Sequence, residues 1–232
     1  GCGHGVLLRL ICECLEEYGL DKKTIAAIGV GCSCHLKSGI NVDLVQSPHG
    51  RAAAVATGIR RAEPDKFVFS YQGDGDLAAI GTAETVHVGT RGENIVVIFI
   101  NNTTYGMTGG QMAPTTLPGQ VTQTTPFGRN VETAGYPIRI CEMMATLSGT
   151  ALAQRVAIDS VPHIREAKKA IRKAFENEKA KRGLSIIEVL STCPTNWGMS
   201  PTESMQFVKD KMIPYYPLGV YKDVTAEEGA KA

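Results

Sequence analysis

The sequence predicts a doubly wound α/β fold, a mostly parallel sheet with helices on both faces, and two observations carry that prediction. Apolar runs such as "IVVIFI" (95–100) and "LSIIEVL" (184–190) are continuous rather than alternating, as strands covered on both faces require. Between such runs lie amphipathic segments with helical period, and strands alternating with helices are the signature of a sheet built from crossover connections.

The elements follow in order. Over Val6–Tyr18, residues Val6, Leu7, Leu10, Ile11, Cys14 and Leu15 share one helical side, with Glu13, Glu16 and Glu17 opposite and Gly19 at the stop. "TIAAIGVG", Thr24 to Gly31, reads as a buried strand entering a cysteine-containing loop. "HGRAAAVATGIRRA", His49 to Ala62, predicts a small-residue helix packed close to the sheet. A strand over Phe67–Tyr71 precedes an acidic turn, a helix from about Leu77 to Gly89, and the strand "NIVVIFINN". Thr103 to Arg129, rich in Thr, Gly and Pro, is expected to be a long functional loop. Then come a short helix over Cys141–Leu147, the strand "AQRVAID", and a charged helix over Val161–Arg182 with Ile164, Ala167, Ile171, Ala174 and Phe175 inward. "LSIIEVL" is the last strand, and Ser200 and Pro201 open a final helix. No repeat or linker interrupts the pattern, so a single domain is expected.

Composition narrows the class. With 24 Lys and Arg against 23 Asp and Glu, a net charge of +1 argues against a nucleic-acid surface. No apolar run reaches transmembrane length and no signal peptide is visible, so a cytoplasmic protein away from membranes is expected. The seven cysteines (Cys2, Cys12, Cys14, Cys32, Cys34, Cys141 and Cys193) are odd in number and irregular in spacing. That disfavours a disulfide framework and leaves buried thiols or metal ligands. Cys12 and Cys14, two apart on a helix, and Cys141 read as packed thiols. Zinc usually shows close C-x-x-C pairs, and none is visible.

"FVFSYQGDGDLAAIG", Phe67 to Gly81, raises the functional question. A strand stops in a Gly-rich turn, where a phosphate cradle is expected, yet the turn carries Asp74 and Asp76 and no Lys or Arg occurs between Phe67 and Thr90. Phosphate could bind beside Asp74 only with a metal ion supplying the positive charge. Taken alone, an Asp-Gly turn is common. Asn101 and Asn102, however, end the following strand, and in open parallel sheets ligands bind at these carboxyl ends. Asp74, the Asn102 side chain and a backbone carbonyl would suit the oxygen preference of Mg²⁺, with the helix from Leu77 aiming its N-terminus at the phosphate.

"GDGD", one helix and one strand, then "NN", resembles the thiamine-diphosphate-binding motif. "YGMTGGQMAPTT" and "HGRAAAVATGIRRA" narrow the resemblance to the β subunits of 2-oxoacid:ferredoxin oxidoreductases, over essentially the whole chain. The resemblance implies a thiamine-diphosphate-binding fold over residues 1–232, with an N-terminal cluster-binding segment and a C-terminal tail from about 214. It makes Asp74, Asn102 and the Thr104 carbonyl the Mg²⁺ ligands. Around the cofactor it places Gly73, Gly75, Asp76, Tyr105, Gly106, Met107 and Thr108, with His49 and Arg51 from the "HGR" turn. Asp76 is expected to cap the next helix or face the reacting end.

It further implies a 4Fe–4S cluster on Cys2, Cys32 and Cys193, with a first cysteine three residues before Cys2, outside this sequence, and Cys34 as a weaker substitute. His4 would lie beside the cluster, whereas His87 reads as an ordinary helix residue. The implied reaction is oxidative decarboxylation of a 2-oxoacid to acyl-CoA, with ferredoxin as acceptor. An α subunit would complete the thiamine site, with γ and δ subunits beside it. An apolar Met107 suits a branched acid such as 2-oxoisovalerate, while 2-oxoglutarate would want a cation such as Arg51, Arg129 or a partner residue. A non-oxidative thiamine-dependent decarboxylase would have no use for Cys32 and Cys193, and a bare electron-transfer module none for "GDGD…NN".

Overall fold

The computed structural model describes residues 1–229, so the last three residues of the expected C-terminal tail lie outside the described residues. Its strands are β1 (Thr24–Ile28), β2 (Asp43–Gln46), β3 (Phe67–Gly73), β4 (Val96–Asn101), β5 (Thr104–Tyr105), β6 (Gln111–Met112), β7 (Thr150–Ala157), β8 (Leu184–Leu190) and β9 (Gly219–Asp223). Seven of them form one sheet in the order β2-β1-β3-β4-β8-β7-β9, parallel throughout except for β9, which pairs antiparallel with β7; β5 and β6 make a small separate hairpin.

The helices are α1 (His4–Glu17), α2 (Ala52–Ala62), α3 (Thr82–Arg91), α4 (Val131–Ala134), α5 (Ile140–Ala145), α6 (Val161–Lys179), α7 (Pro194–Trp197), α8 (Pro201–Phe207), α9 (Ile213–Tyr215) and α10 (Val224–Gly229). None is long and apolar enough to cross a membrane among the described residues.

Two cores explain the continuous apolar strands. Phe67, Phe69, Tyr71, Val96, Ile98 and Ile100 face α1 and α6, meeting Leu7, Ile11, Ile171 and Phe175. Their neighbours Val68, Val97 and Phe99 point the other way, onto Ala52, Ala56, Leu77, Val88, Ile140 and Met144 of the opposite layer. Alternate residues thus enter different cores, and each fully buried Ile, Leu or Phe contributes about 1.5–3 kcal/mol relative to exposure. Alanines on the buried side of α2 let that helix approach the sheet closely.

Two strands depart from the sequence reading. β2 and β9 lie at the sheet edges, carry few buried residues and lack the apolar run by which inner strands are recognised. The helix expected from Leu77 is also different: it begins as a π-helical turn over Asp76–Ile80 and restarts at Thr82. Gly81 causes the break. Its N–H donates to the Asp76 carbonyl five residues back (2.9 Å), and a side chain on it would meet the Gly50 carbonyl at 2.7 Å. A single π turn inside a helix is characteristic of functional sites.

Candidate functional site

Four neighbouring strands deliver their carboxyl ends to one place. Gly29–Gly31 follow β1, Asp74–Asp76 follow β3, Asn102–Thr104 follow β4 and Ser191–Cys193 follow β8. The ends of β1, β3 and β4 contribute to a cavity of about 170 Å³ lined by Gly73, Asp74, Gly75, Asp76, Asn102, Thr104, Tyr105, Gly106, Met107, Thr108 and His49, together with Val30, Ile100 and Cys32. Nearly every residue expected around the cofactor is therefore brought together.

Asp74 is only 4% exposed and has no cationic partner among the described residues. It accepts from the Gly75 N–H (2.9 Å), the Thr104 N–H (3.1 Å) and the Thr115 hydroxyl (3.0 Å). Burial pushes its carboxyl up to about 7 against the pull of those three donors. The end of the Asn102 amide stands 3.2 Å from Asp74 Oδ2 and 2.8 Å from the Thr104 carbonyl oxygen. Turned with Nδ2 inward, the amide donates to both. With Oδ1 inward, three oxygens converge, an arrangement that a cation between them would stabilise. The donor set fits Mg²⁺, which takes hard oxygen ligands and keeps sites for phosphate and water. Among the described residues no three His, Cys, Asp or Glu side chains gather on one ion; this set is instead one carboxylate, one amide and one carbonyl.

Thr103, between Asn102 and Thr104, has φ 57, a left-handed conformation that costs a β-branched residue about 1–3 kcal/mol. It persists because neighbours hold it: its N–H donates to Asn101 Oδ1 (3.1 Å), its carbonyl accepts from Thr116 (2.6 Å), and its hydroxyl accepts from Gln120 (2.8 Å). The bend at Thr103 lets both flanking residues face Asp74.

Asp76 does not cap the helix it opens, and no side-chain cap bond occurs there. It is 1% exposed, and its Oδ1 accepts from the Val30 N–H (3.1 Å) and the Gly50 N–H (2.8 Å) and bonds His49 Nδ1 (2.6 Å). Its Oδ2 accepts from Gln72 (2.6 Å). This carboxylate ties three loops together, so close to β1 that a side chain at Gly29 would meet it at 2.1 Å. His49 thus reaches the cavity already held by Asp76. Arg51 does not line the cavity; it pairs with Glu84. Arg129, 5% exposed, is spent on carbonyls of its own loop, including those of Thr116 (2.7 Å) and Gly135 (3.0 Å). The Thr108 hydroxyl is engaged with Gln111 at 2.5 Å.

A second cavity, of about 460 Å³, adjoins the first and is lined by Cys2, Cys32 and Cys193 with His35, Tyr71 and Asn196. His4, Cys32, Asn102 and Gly106 belong to both walls. Burial, then the neighbouring Cys193 and Cys2, push the Cys32 thiol up to about 11. Gly106 passes so close that a side chain there would stand 3.2 Å from Cys32 Sγ and 3.5 Å from Cys193 Sγ. Asn196 donates to Cys193 Sγ (3.2 Å) and to the Gly106 carbonyl (2.7 Å). A 4Fe–4S cluster takes one thiolate per iron, so its cysteines stand around a core instead of meeting at a point, and the three thiols about this cavity would supply three of the four. Cys34 does not line this cavity. Cys14 and Cys141 are buried elsewhere, as expected, whereas Cys12, also expected to be packed, is only half-buried on α1; His87 is exposed on α3.

The profile of the C-terminal, thiamine pyrophosphate-binding domain of thiamine pyrophosphate enzymes matches residues 29–189. Subunit KorB of the 2-oxoglutarate synthase of Methanocaldococcus jannaschii is 36% identical over 234 residues, covering 98% of this chain and 81% of the relative. The chain belongs to the thiamine-pyrophosphate-binding β subunits of the 2-oxoacid:ferredoxin oxidoreductases. Within that family, ketoisovalerate oxidoreductase subunit VorA of Methanothermobacter thermautotrophicus is 45% identical over 227 residues, 98% of this chain and 48% of the relative. This β subunit thus spans about half the length of the VorA relatives it matches. The solved 2-oxoglutarate:ferredoxin oxidoreductase of Magnetococcus marinus shares the β-subunit fold, with a TM-score of 0.76 at 24% identity over 96% of this chain and 79% of that one.

Asn101, Thr103, Thr115, Gln72 and Asn196 were not assigned roles from the sequence. Only Asn101 left a signal there, as the first residue of the doubled Asn; the others act through contacts made across the fold.

Proposed function

We propose that the chain binds thiamine diphosphate and Mg²⁺ as one half of an active site that oxidatively decarboxylates a 2-oxoacid to acyl-CoA and CO₂. Cys2, Cys32 and Cys193 would hold a 4Fe–4S cluster, which supplies the route for the electron pair to ferredoxin. The observation that carries this reading is the shared wall: an oxygen-donor site on one side of Cys32 and Gly106, three thiols on the other.

Thiamine diphosphate supplies, when bound, the electron sink that decarboxylation needs. The residues of this chain do the rest. Asp74, Asn102 and the Thr104 carbonyl hold the metal, whose charge offsets the diphosphate where other phosphate loops use lysine. A cation there also lets Asp74 remain ionised in its buried site. Asp76 fixes His49 and the loops after β1 and β2 around the cavity. Cys2, Cys32 and Cys193 carry the cluster beside the cofactor, where Asn196 and His4 surround it.

Among the described residues no Glu lines the cavity, which supports an α subunit as the source of the carboxylate that activates the cofactor. With γ and δ subunits, coenzyme A and ferredoxin, that α subunit makes up the working enzyme, which we place in the cytoplasm. A branched acid such as 2-oxoisovalerate is the favoured substrate. Among the described residues the cavity lining contains Met107, Ile100 and Val30 and no Lys or Arg, while Arg51 and Arg129 are both engaged elsewhere. Relatives named for ketoisovalerate are also more similar (44–45% identical) than those named for 2-oxoglutarate synthase (33–36%).

The test is anaerobic purification with the partner subunits, analysis of iron and thiamine diphosphate, and viologen reduction with coenzyme A on 2-oxoisovalerate and 2-oxoglutarate. Both cofactors present and faster reduction on 2-oxoisovalerate are expected. Absence of iron and thiamine diphosphate together would overturn the reading, and faster turnover of 2-oxoglutarate would overturn the substrate.

A further inference from the structure

One polar chain, buried except at its Glu142 end, crosses the sheet and ends at the metal-binding turn. Arg155 on β7 and Glu188 on β8 are register partners, both with side chains 0% exposed, and Arg155 Nε donates to Glu188 Oε2 at 2.9 Å. On the far side, Glu142 bonds the Arg155 guanidinium at 3.0 and 2.5 Å. Asn101, 0% exposed at the end of β4, donates from Nδ2 to Glu188 Oε1 at 2.8 Å, leaving its Oδ1 to accept the Thr103 N–H at 3.1 Å.

Glu188 therefore fixes which way the Asn101 amide faces. A carboxylate accepts only, so Nδ2 must turn to it and Oδ1 must turn to Thr103. Arg155 in turn pairs with Glu188 in a place where an unpaired carboxylate would be costly. Thr103 is the residue with φ 57.

Resting on the site reading given above, we propose that Asn101, oriented by the buried Glu188–Arg155 pair, is a positioning residue for the Mg²⁺ site. It holds Thr103 in the left-handed conformation that aims the Asn102 side chain and the Thr104 carbonyl at Asp74. Neither Asn101 nor its partners touch the metal. Their effect passes through one backbone hydrogen bond, which makes the geometry of a loop depend on a charge pair two strands away.

A specific rescue distinguishes this role from general stabilisation. Asn101→Ala removes the acceptor that holds Thr103, while glycine at 103 adopts φ near +60° without the Cβ penalty. Thiamine diphosphate binding is titrated calorimetrically at a series of Mg²⁺ concentrations, using the assembled enzyme stripped of cofactor and metal. Asn101→Ala is expected to raise the Mg²⁺ needed for half-maximal binding about tenfold or more, as strain of this size implies. The double variant Asn101→Ala/Thr103→Gly is expected to return to within about threefold of wild type, with the visible spectrum of the cluster unchanged in both. Unaltered Mg²⁺ dependence in Asn101→Ala, or a double variant no better than the single, overturns the proposal. Wild-type enzyme that binds the cofactor without regard to Mg²⁺, or Asp74→Ala that binds as well as wild type, overturns the underlying site assignment instead.

Discussion

Asn196 gives Cys193 something that Cys32 lacks, an N–H donor at 3.2 Å on the sulfur. Hydrogen bonds to ligating sulfurs help set cluster potentials by stabilising the more negative, reduced state. Asn196→Ala should therefore move the cluster potential in the negative direction, as read by a redox titration of the assembled enzyme. An unchanged or more positive potential would remove Asn196 from that role. The thiols away from the site behave differently. Burial pushes Cys14 up to about 12 and Cys141 well above the usual thiol range. Because the thiolate is the reactive form and rises tenfold per pH unit below the pKa, both should resist iodoacetamide at about pH 8 in the native chain and react only on unfolding. Rapid labelling of either, located by peptide mass analysis, would contradict their buried placement. At this scale Asp74 and Asn102 were legible because the chemistry needs those types at that spacing. Asp76 was only half legible, since its partners Val30, Gly50, His49 and Gln72 come from three other parts of the chain.

Glycines decide how closely the elements approach. At the end of the sheet away from the site, a side chain at Gly149 would stand 2.4 Å from both the Gly89 carbonyl and the Gly92 nitrogen, and backbone cannot yield as a side-chain tip does. Gly149→Ala should cost about 1–3 kcal/mol in chemical denaturation. Gly58, within α2 and with open space where a side chain would go, should gain about 0.5–1 kcal/mol on substitution by alanine. Equal effects at the two positions would mean that the close approach is not sustained in solution. The inner strands and the long helices could be read from periodicity because burial on two faces dictates their composition. Edge strands β2 and β9 could not, and the π turn at Asp76–Ile80 lies where Gly81 packs against Gly50, a contact that no local pattern encodes.

Across the whole molecule, the sheet acts as a frame that brings four loop ends into register and places an oxygen-lined cavity against a thiol-lined one. The apolar cores on both faces supply the rigidity, while the polar chain from Glu142 through Arg155 and Glu188 to Asn101 carries that rigidity to the turn where the metal would sit. The resemblance in the motifs pointed to the site before any geometry was known; the fold adds why the two cofactors would be neighbours. The central claim is that Asp74 anchors a Mg²⁺-dependent thiamine diphosphate site, and the most direct measurement is calorimetric titration of the cofactor into the assembled, metal-stripped enzyme with and without Mg²⁺. Wild type should bind only when Mg²⁺ is present, and Asp74→Ala should lose that binding by a factor of about a hundred or more, corresponding to about 3 kcal/mol, while retaining its cluster absorbance. Cofactor affinity unchanged in Asp74→Ala, or binding by wild type that is indifferent to Mg²⁺, would contradict the account.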